Sequence, residues 1–439
     1  MLRGLTPILL LRLLWRAQRE PLYRHALGQR LGLGASTPAG AVWLHAVSLG
    51  ETRAAEPLIQ TLRAAQPGLR LLLTHGTATG REAGAALLRD GDAQRWLPFD
   101  TPGAVRRFLR RHRPAVGVLM ETEVWPNLQA EARRAGVPML LANARLSDKS
   151  LRQALRFDAL LRPAAEAMTQ ALAQTEDDAR RLRLAGVTDA PVCGNLKFDQ
   201  RPDDLLLARG QRWRRVIGSR PVVLAASWRE GEDAPLLQAW RASLSALMSA
   251  PVAAADASPA GGHPQPLLLL VPRHPQRFDE VAAMVQAAGL TLARRSAWGD
   301  ADDASPDARA ATADVWLGDS MREMAAYYAC ADVALLGGSF APLGGQNLIE
   351  AAACACPVVM GPHTFNFADA ARLSEAQGAA QRVTDVNAGV ATALALAQHP
   401  PARAAASAAA LTFAAAHQGT AERTAQHILA QWRRSTAAH

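Results

Sequence analysis

Short β-rich apolar runs that alternate with longer helical stretches constrain this chain more than any other feature. Residues 41–47, 69–74, 115–120 and 138–142 read as buried strands, each followed by a polar or glycine turn and a helix-like segment. Strands separated by helices predict a parallel βαβ sheet. A second series, at residues 221–226, 267–271, 315–318, 333–336 and 357–360, begins after an Arg-rich helix near residue 210. The expected fold class is therefore α/β with two domains and a boundary near residue 205, which suits a 439-residue chain at roughly 150 residues per domain. Segments 249–266 and 299–313, rich in Ala, Asp, Pro, Gly and Ser, read as variable surface loops, and no repeat of solenoid period is present.

Composition excludes several classes. Apolar residues make up 49% and charged residues 20%, which fits neither a disordered tail protein nor a multispan membrane protein. Four irregularly spaced cysteines, Cys193, Cys330, Cys354 and Cys356, suit no disulfide scaffold or common zinc knuckle and point to a reducing compartment. The net charge of +9 favours anionic partners: phosphates, carboxylates, nucleic acid or an acidic membrane surface. Of the 48 basic residues only Lys149 and Lys197 are lysines. Where arginine is used so freely, a surviving lysine marks a position where a compact ammonium is needed, unless both persist by chance on solvated surface.

Residues 5–15 form an apolar run of 11 residues broken by Arg12. As a helix this would reach about 17 Å, against a hydrocarbon core of about 30 Å. Arg12, Arg16 and Arg19 share one helical stripe, the pattern of a basic amphipathic helix lying in anionic headgroups. The competing reading is a first helix packed on its own domain. No cleavage site of a signal peptide precedes Glu20.

Chemistry is expected at strand ends, where open α/β sheets hold ligands. After the first strand, a small-residue turn delivers Glu51 to a helix start, where a carboxylate also serves as an ordinary dipole partner. The third strand runs into Glu121 and Glu123, and a lone cap does not require two acids. Both lysines lie in such turns, as do Asn127, Asn143, Asn195, Asn347 and Asn366, five of the six asparagines. In the second domain, Arg273 follows a strand where a guanidinium clamps phosphate, and the block from Gly337 to Glu350 joins a strand to an apolar helix. Its glycines let backbone approach a phosphate, and Glu350 is placed to accept ribose hydroxyls. Asp300 and Asp302 formally make a metal-binding DxD but sit in the low-complexity loop.

The ordered blocks HAVSLGE, METEVWPNL, NARLSDKS, GNLKFD, VPRHP, GDSMREM, GGSFAPLGGQNLIEAA and GPHTFNFADA resemble the bacterial 3-deoxy-D-manno-octulosonic acid (Kdo) transferases of lipopolysaccharide biosynthesis. The resemblance implies a GT-B fold, two Rossmann-like domains facing across a cleft, with an N-terminal membrane-associating helix. It divides the chain into a membrane-surface anchor region at 1–31, an acceptor-binding domain at 32–205, and a CMP-Kdo-binding domain with terminal helices at 206–439. The implied reaction is inverting transfer of Kdo from CMP-Kdo to a lipid A precursor (lipid IVA), releasing CMP at the cytoplasmic face of the inner membrane. No metal cofactor and no nucleic-acid partner are implied. By the same resemblance Glu51 is the general base, Glu121 and Lys197 stabilise the transition state, and Pro272, Arg273, Met321, Arg322, Glu323, Asn347, Leu348, Ile349 and Glu350 bind the CMP moiety. Two departures stand out. Trp228 and Arg229 replace a usual Thr-His pair, and Gln346 replaces a frequent His. A nucleotide-sugar epimerase or a lipid-linked N-acetylglucosaminyl transferase would share the glycine block but not HAVSLGE with METE, and a non-catalytic two-lobed module would leave Glu51 unexplained.

Overall fold

The computed structural model describes residues 11–18, 20–249, 265–299 and 305–437. The chain divides into two compact units, Met1–Gln200 with His417–His439, and Arg201–Ala416. In the first, β1 (Val42–His45), β2 (Leu71–His75), β3 (Ala93–Trp96), β4 (Val116–Met120), β5 (Met139–Ala144) and β6 (Gln170–Ala173) form an all-parallel sheet in the order β3-β2-β1-β4-β5-β6. Alternate residues of the inner strands feed two cores. Trp43, Leu72, Leu119 and Leu141 pack on one face, and Val42, Leu44, Leu73 and Val118 on the other.

The second unit repeats this logic. β7 (Val222–Trp228), β8 (Leu267–Pro272), β9 (Leu292–Arg294), β10 (Val315–Leu317), β11 (Val333–Leu336), β12 (Val358–Met360) and β13 (Ala380–Arg382) form a parallel sheet ordered β13-β12-β11-β7-β8-β10-β9. In each sheet the chain starts centrally, builds outward to one side, then crosses to the other. The resulting topological switch points, between β1 and β4 and between β7 and β11, are the crevices where such sheets bind ligands.

Two expectations need correction. The second domain does not run to residue 439, because the helix Thr420–Ala437 returns to the first unit. Its apolar stripe of Ala421, Ala425, Ile428 and Leu429 buries into the core around Leu44 and Val116, and Trp432 Nε1 donates to the Gly40 carbonyl at 2.9 Å. The loop expected at 299–313 contains a short helix, Ala308–Thr312, capped by Asp307. No helix among the described residues is long and apolar enough to cross a membrane. Residues 1–10 and Arg19 of the expected amphipathic helix lie outside the described residues, as do most of segment 249–266 and the Asp300/Asp302 pair.

Candidate active site

At the first switch point, β1 ends in a turn whose Ser48 caps the helix Leu49–Ala65. Glu51 sits in the first turn of that helix, and its carboxylate accepts the Val47 N–H at 2.8 Å and the Ser48 hydroxyl at 3.0 Å. The arrangement is close to a capping box, so the ordinary role of an acid at a helix start is present. It is not the whole of the role. Burial pushes the Glu51 carboxyl up to about 7; the two hydrogen bonds oppose this, and the charges of Glu121 and Glu123 add to it. A carboxyl that titrates near neutrality is poised to take a proton, which an ordinary capping glutamate is not. Burial also raises Glu123, with Glu121 contributing. Removing one of these charges must therefore lower Glu51. In Glu123→Gln, side-chain 13C NMR should find Glu51 titrating below its wild-type value, and an unmoved or raised titration would show that Glu123 does not act on it.

Across the switch, β4 delivers Glu121 in a left-handed conformation, φ 59°. Its neighbour on β5, Asn143, has φ 54°. Side chains in this region cost roughly 1–2 kcal/mol per residue, and such strain concentrates at functional sites. The geometry aims Glu121 at Lys197, with Oε1 3.5 Å from Nζ and both side chains about four-fifths buried at 23% and 21% exposure. Lys197 lies on a single 3-10 turn, Leu196–Asp199, fixed at both ends. Asn143 Oδ1 accepts the Leu196 N–H at 3.0 Å, and Asn195 Oδ1 accepts that of Lys197 at 3.0 Å. Asp199 accepts the backbone N–H groups of Gly419 and Ala421, capping the returning C-terminal helix, while Arg423 Nε donates to the Cys193 carbonyl at 2.9 Å. Sequence reasoning missed Asp199 and Arg423 as supports, because their partners lie over two hundred residues away. Lys149 stands apart from this pattern: it is exposed in the first turn of the helix Asp148–Arg156. Asn127 is a structural residue, bonded with Leu128 to Asp100.

The donor-binding expectations fall at the carboxyl ends of the second sheet. Pro272 is buried at the end of β8, and the exposed Arg273 is fixed by its backbone N–H to Trp228 O at 2.9 Å. Met321 and Arg322 are exposed beside a cavity of about 510 Å³ that Arg209, Arg295 and Ser296 also line. The Glu323 side chain is committed inward. It binds Arg209, Arg295 (2.7 Å) and Ser320, which hold its carboxyl below the ordinary range although burial alone would raise it. Any contribution of Glu323 to a ligand passes through its backbone or through these arginines. Leu348 and Ile349 are 1% and 2% exposed, so only their backbone can meet a ligand. Asn347 caps their helix by accepting the Ile349 N–H at 3.2 Å, and Glu350 lies half-buried in its first turn.

The glycine block itself behaves differently from the expectation of amides open to phosphate. The N–H groups of Gly338, Phe340 and Ala341 donate to the carboxylate of Glu232, which the sequence reading passed over. Gly337 is a glycine for packing, since a Cβ there would lie 2.4 Å from Ser227 O on the facing strand end. Trp228 is a core residue, fully buried with its ring 5.5 Å from that of Phe340, while the Arg229 guanidinium pairs with Glu230.

Comparison with known proteins identifies the family. Residues 25–200 match the family described as 3-Deoxy-D-manno-octulosonic-acid transferase (kdotransferase). A 3-deoxy-D-manno-octulosonic acid transferase of Bordetella pertussis is 50% identical over 433 residues, covering 96% of each chain. That of Haemophilus influenzae is 34% identical over 367 residues, covering 82% of this chain and 80% of its own. Among solved structures, a UDP-GlcNAc 2-epimerase from Neisseria meningitidis shares the fold at 12% identity and a TM-score of 0.56, over 90% of this chain and all of its own. A glycosyltransferase from Rickettsia africae does so at 10% identity and a TM-score of 0.55, over 90% and 98%. These two likenesses speak for the GT-B type of double Rossmann-like fold and for nothing finer. With half of all positions identical to a Kdo transferase along nearly its full length, the chain belongs to the 3-deoxy-D-manno-octulosonic acid transferase family.

Proposed function

We propose that this Kdo transferase takes Kdo from CMP-Kdo and places it on the primary hydroxyl of a lipid A precursor such as lipid IVA. The observation that carries the reading is the placing of Glu51 at the helix start of the first switch point, where a glutamate–lysine pair also stands, and its burial, which raises its carboxyl, supports it. Ionised Glu51 removes the acceptor's hydroxyl proton as the oxygen attacks the anomeric carbon of Kdo. The bond from that carbon to the phosphate oxygen breaks, and CMP departs with the electron pair. The Lys197 ammonium lowers the energy of charge developing on the donor. Arg273, Met321 and Arg322, with the backbone at Asn347 and Leu348, hold the CMP moiety. Incubation with CMP-Kdo should release CMP only when the lipid acceptor is present. Release at the same rate without lipid would sink the acceptor assignment, and a nucleotide sugar altered but still joined to its nucleotide would point to epimerase chemistry.

A lipid acceptor calls for a membrane surface, and we propose the cytoplasmic face of the inner membrane that the family resemblance implies. Leu13 and Ala17 pack on a cluster containing Tyr23, Ala78 and Trp96, so part of the N-terminal segment is a docked helix. Leu11 and Trp15, 65% and 63% exposed, with Leu14, remain outside next to exposed Arg12 and Arg16. Each basic residue near an anionic surface contributes on the order of 1 kcal/mol, screened by salt, and apolar insertion adds a less salt-sensitive part. Replacing Leu11, Leu14 and Trp15 with Ser leaves the docked side intact. The variant should cosediment poorly with anionic vesicles at low and high salt, whereas the wild type is loosened but not released by salt. Equal sedimentation of the two would mean that the acceptor is reached through another surface.

A further inference from the structure

We infer that Glu232 is a positioning residue that serves as a built-in anion for the donor loop, holding residues 337–345 in binding shape before any nucleotide arrives; the inference rests on the donor reading above. Glu232 immediately precedes the helix Asp233–Ser249 and is 2% exposed. Its Oε2 accepts Gly338 N–H at 2.8 Å and Arg229 N–H at 3.1 Å, and its Oε1 accepts Phe340 N–H at 3.1 Å and Ala341 N–H at 3.0 Å. Successive amides converging on one point form an anion nest, which in phosphate-binding loops is filled by the ligand. Here the protein fills it. The carboxylate joins the two sides of the second switch point, since Arg229 follows β7 and the three loop amides follow β11. The loop then closes on itself through Gly345 N–H to Gly338 O at 2.8 Å, and both glycines are left-handed, with φ 74° and 71°.

Two consequences follow for the reaction. The donor phosphate is excluded from the amides of Gly338, Phe340 and Ala341, which are already committed to Glu232. The loop's shape also depends on a charge and two oxygens at residue 232. Glutamine has the size but presents an N–H₂ where an acceptor is needed, which leaves buried donors unpaired.

Hydrogen exchange on the wild-type protein and CMP binding to variants test this together. The amides of Gly338, Phe340 and Ala341 should be protected without CMP and gain little when CMP is added. Glu232→Gln should weaken CMP binding at least tenfold and raise the KM for CMP-Kdo in proportion, with kcat changed less. In Glu232→Ala, formate or acetate should restore CMP affinity at least several-fold while leaving the wild type unaffected, a rescue that a general loss of stability would not show. The inference is overturned if the three amides exchange freely until CMP is bound, or if a folded Glu232→Gln binds CMP like the wild type. The amide measurement stands even if both variants fail to fold. Failure of the wild type to bind CMP would instead overturn the donor reading, with amide protection still reporting on Glu232.

Discussion

Replacing Glu51 with Gln is expected to lower turnover at least about a hundredfold, the lower bound of what a positioned general base contributes, while CMP binding in the second unit persists. The substitution is close to isosteric and keeps an oxygen for the Val47 N–H, while its N–H₂ faces the Ser48 hydroxyl, which can rotate to accept. What it removes is the ability to accept a proton. In the wild type the base acts when ionised, so turnover should fall as pH drops through about 7. Stability runs the other way. Glu51 titrates higher folded than its ordinary value, so between that value and about 7 the folded state binds the extra proton, and its contribution to stability is lost as pH rises through that window. Glu51→Gln should therefore unfold at pH 8 no earlier than the wild type. Near-normal turnover would remove Glu51 from the chemistry, whereas a large loss of thermal stability at pH 8 would return it to a capping role.

The second large effect is expected at Lys197. Replacement by Arg conserves charge but exchanges a compact ammonium for a planar fork. The backbone cannot shift to accommodate it, because Asn143, Asn195 and Asp199 each fix part of the 3-10 turn. The guanidinium must also share the space in which Nζ stands 3.5 Å from Glu121. Turnover of Lys197→Arg should fall at least tenfold and that of Lys197→Ala by about 10²–10³, the loss typical of one electrostatic stabiliser, with thermal unfolding of both near the wild type. An Arg variant with wild-type turnover would mean that charge alone suffices and that lysine was retained by chance.

The parts of the fold that were legible are those buried on both faces. Every inner strand of both sheets is an apolar run, and every one was anticipated. The four strands that escaped, β3, β6, β9 and β13, are the four sheet edges. Their sequences AQRW, QALA, LAR and AQR contain Arg or Gln or are too short to show a period. The candidate site divides in the same way. Glu51, Glu121 and Lys197 were visible because a strand followed by a polar turn is a local signal. Asp199 and Arg423 were not, since what they hold together is a turn and a helix from opposite ends of the chain. By sequence the glycine block reads as a phosphate cradle, and its glycines do shape a loop of converging amides. Nothing in a run of glycines says which anion fills such a loop, and Glu232 lies 106 residues before Gly338.

The stereochemistry of the product tests the central claim most directly. Deprotonation of the acceptor by Glu51 while CMP leaves is a single displacement, so the new glycosidic bond must have the anomeric configuration opposite to that of Kdo in CMP-Kdo. NMR of the product formed from CMP-Kdo and lipid IVA is expected to find complete inversion. Retained configuration would require either two successive displacements through a side-chain nucleophile or attack from the face that CMP leaves, and would contradict a single in-line displacement with Glu51 as its base.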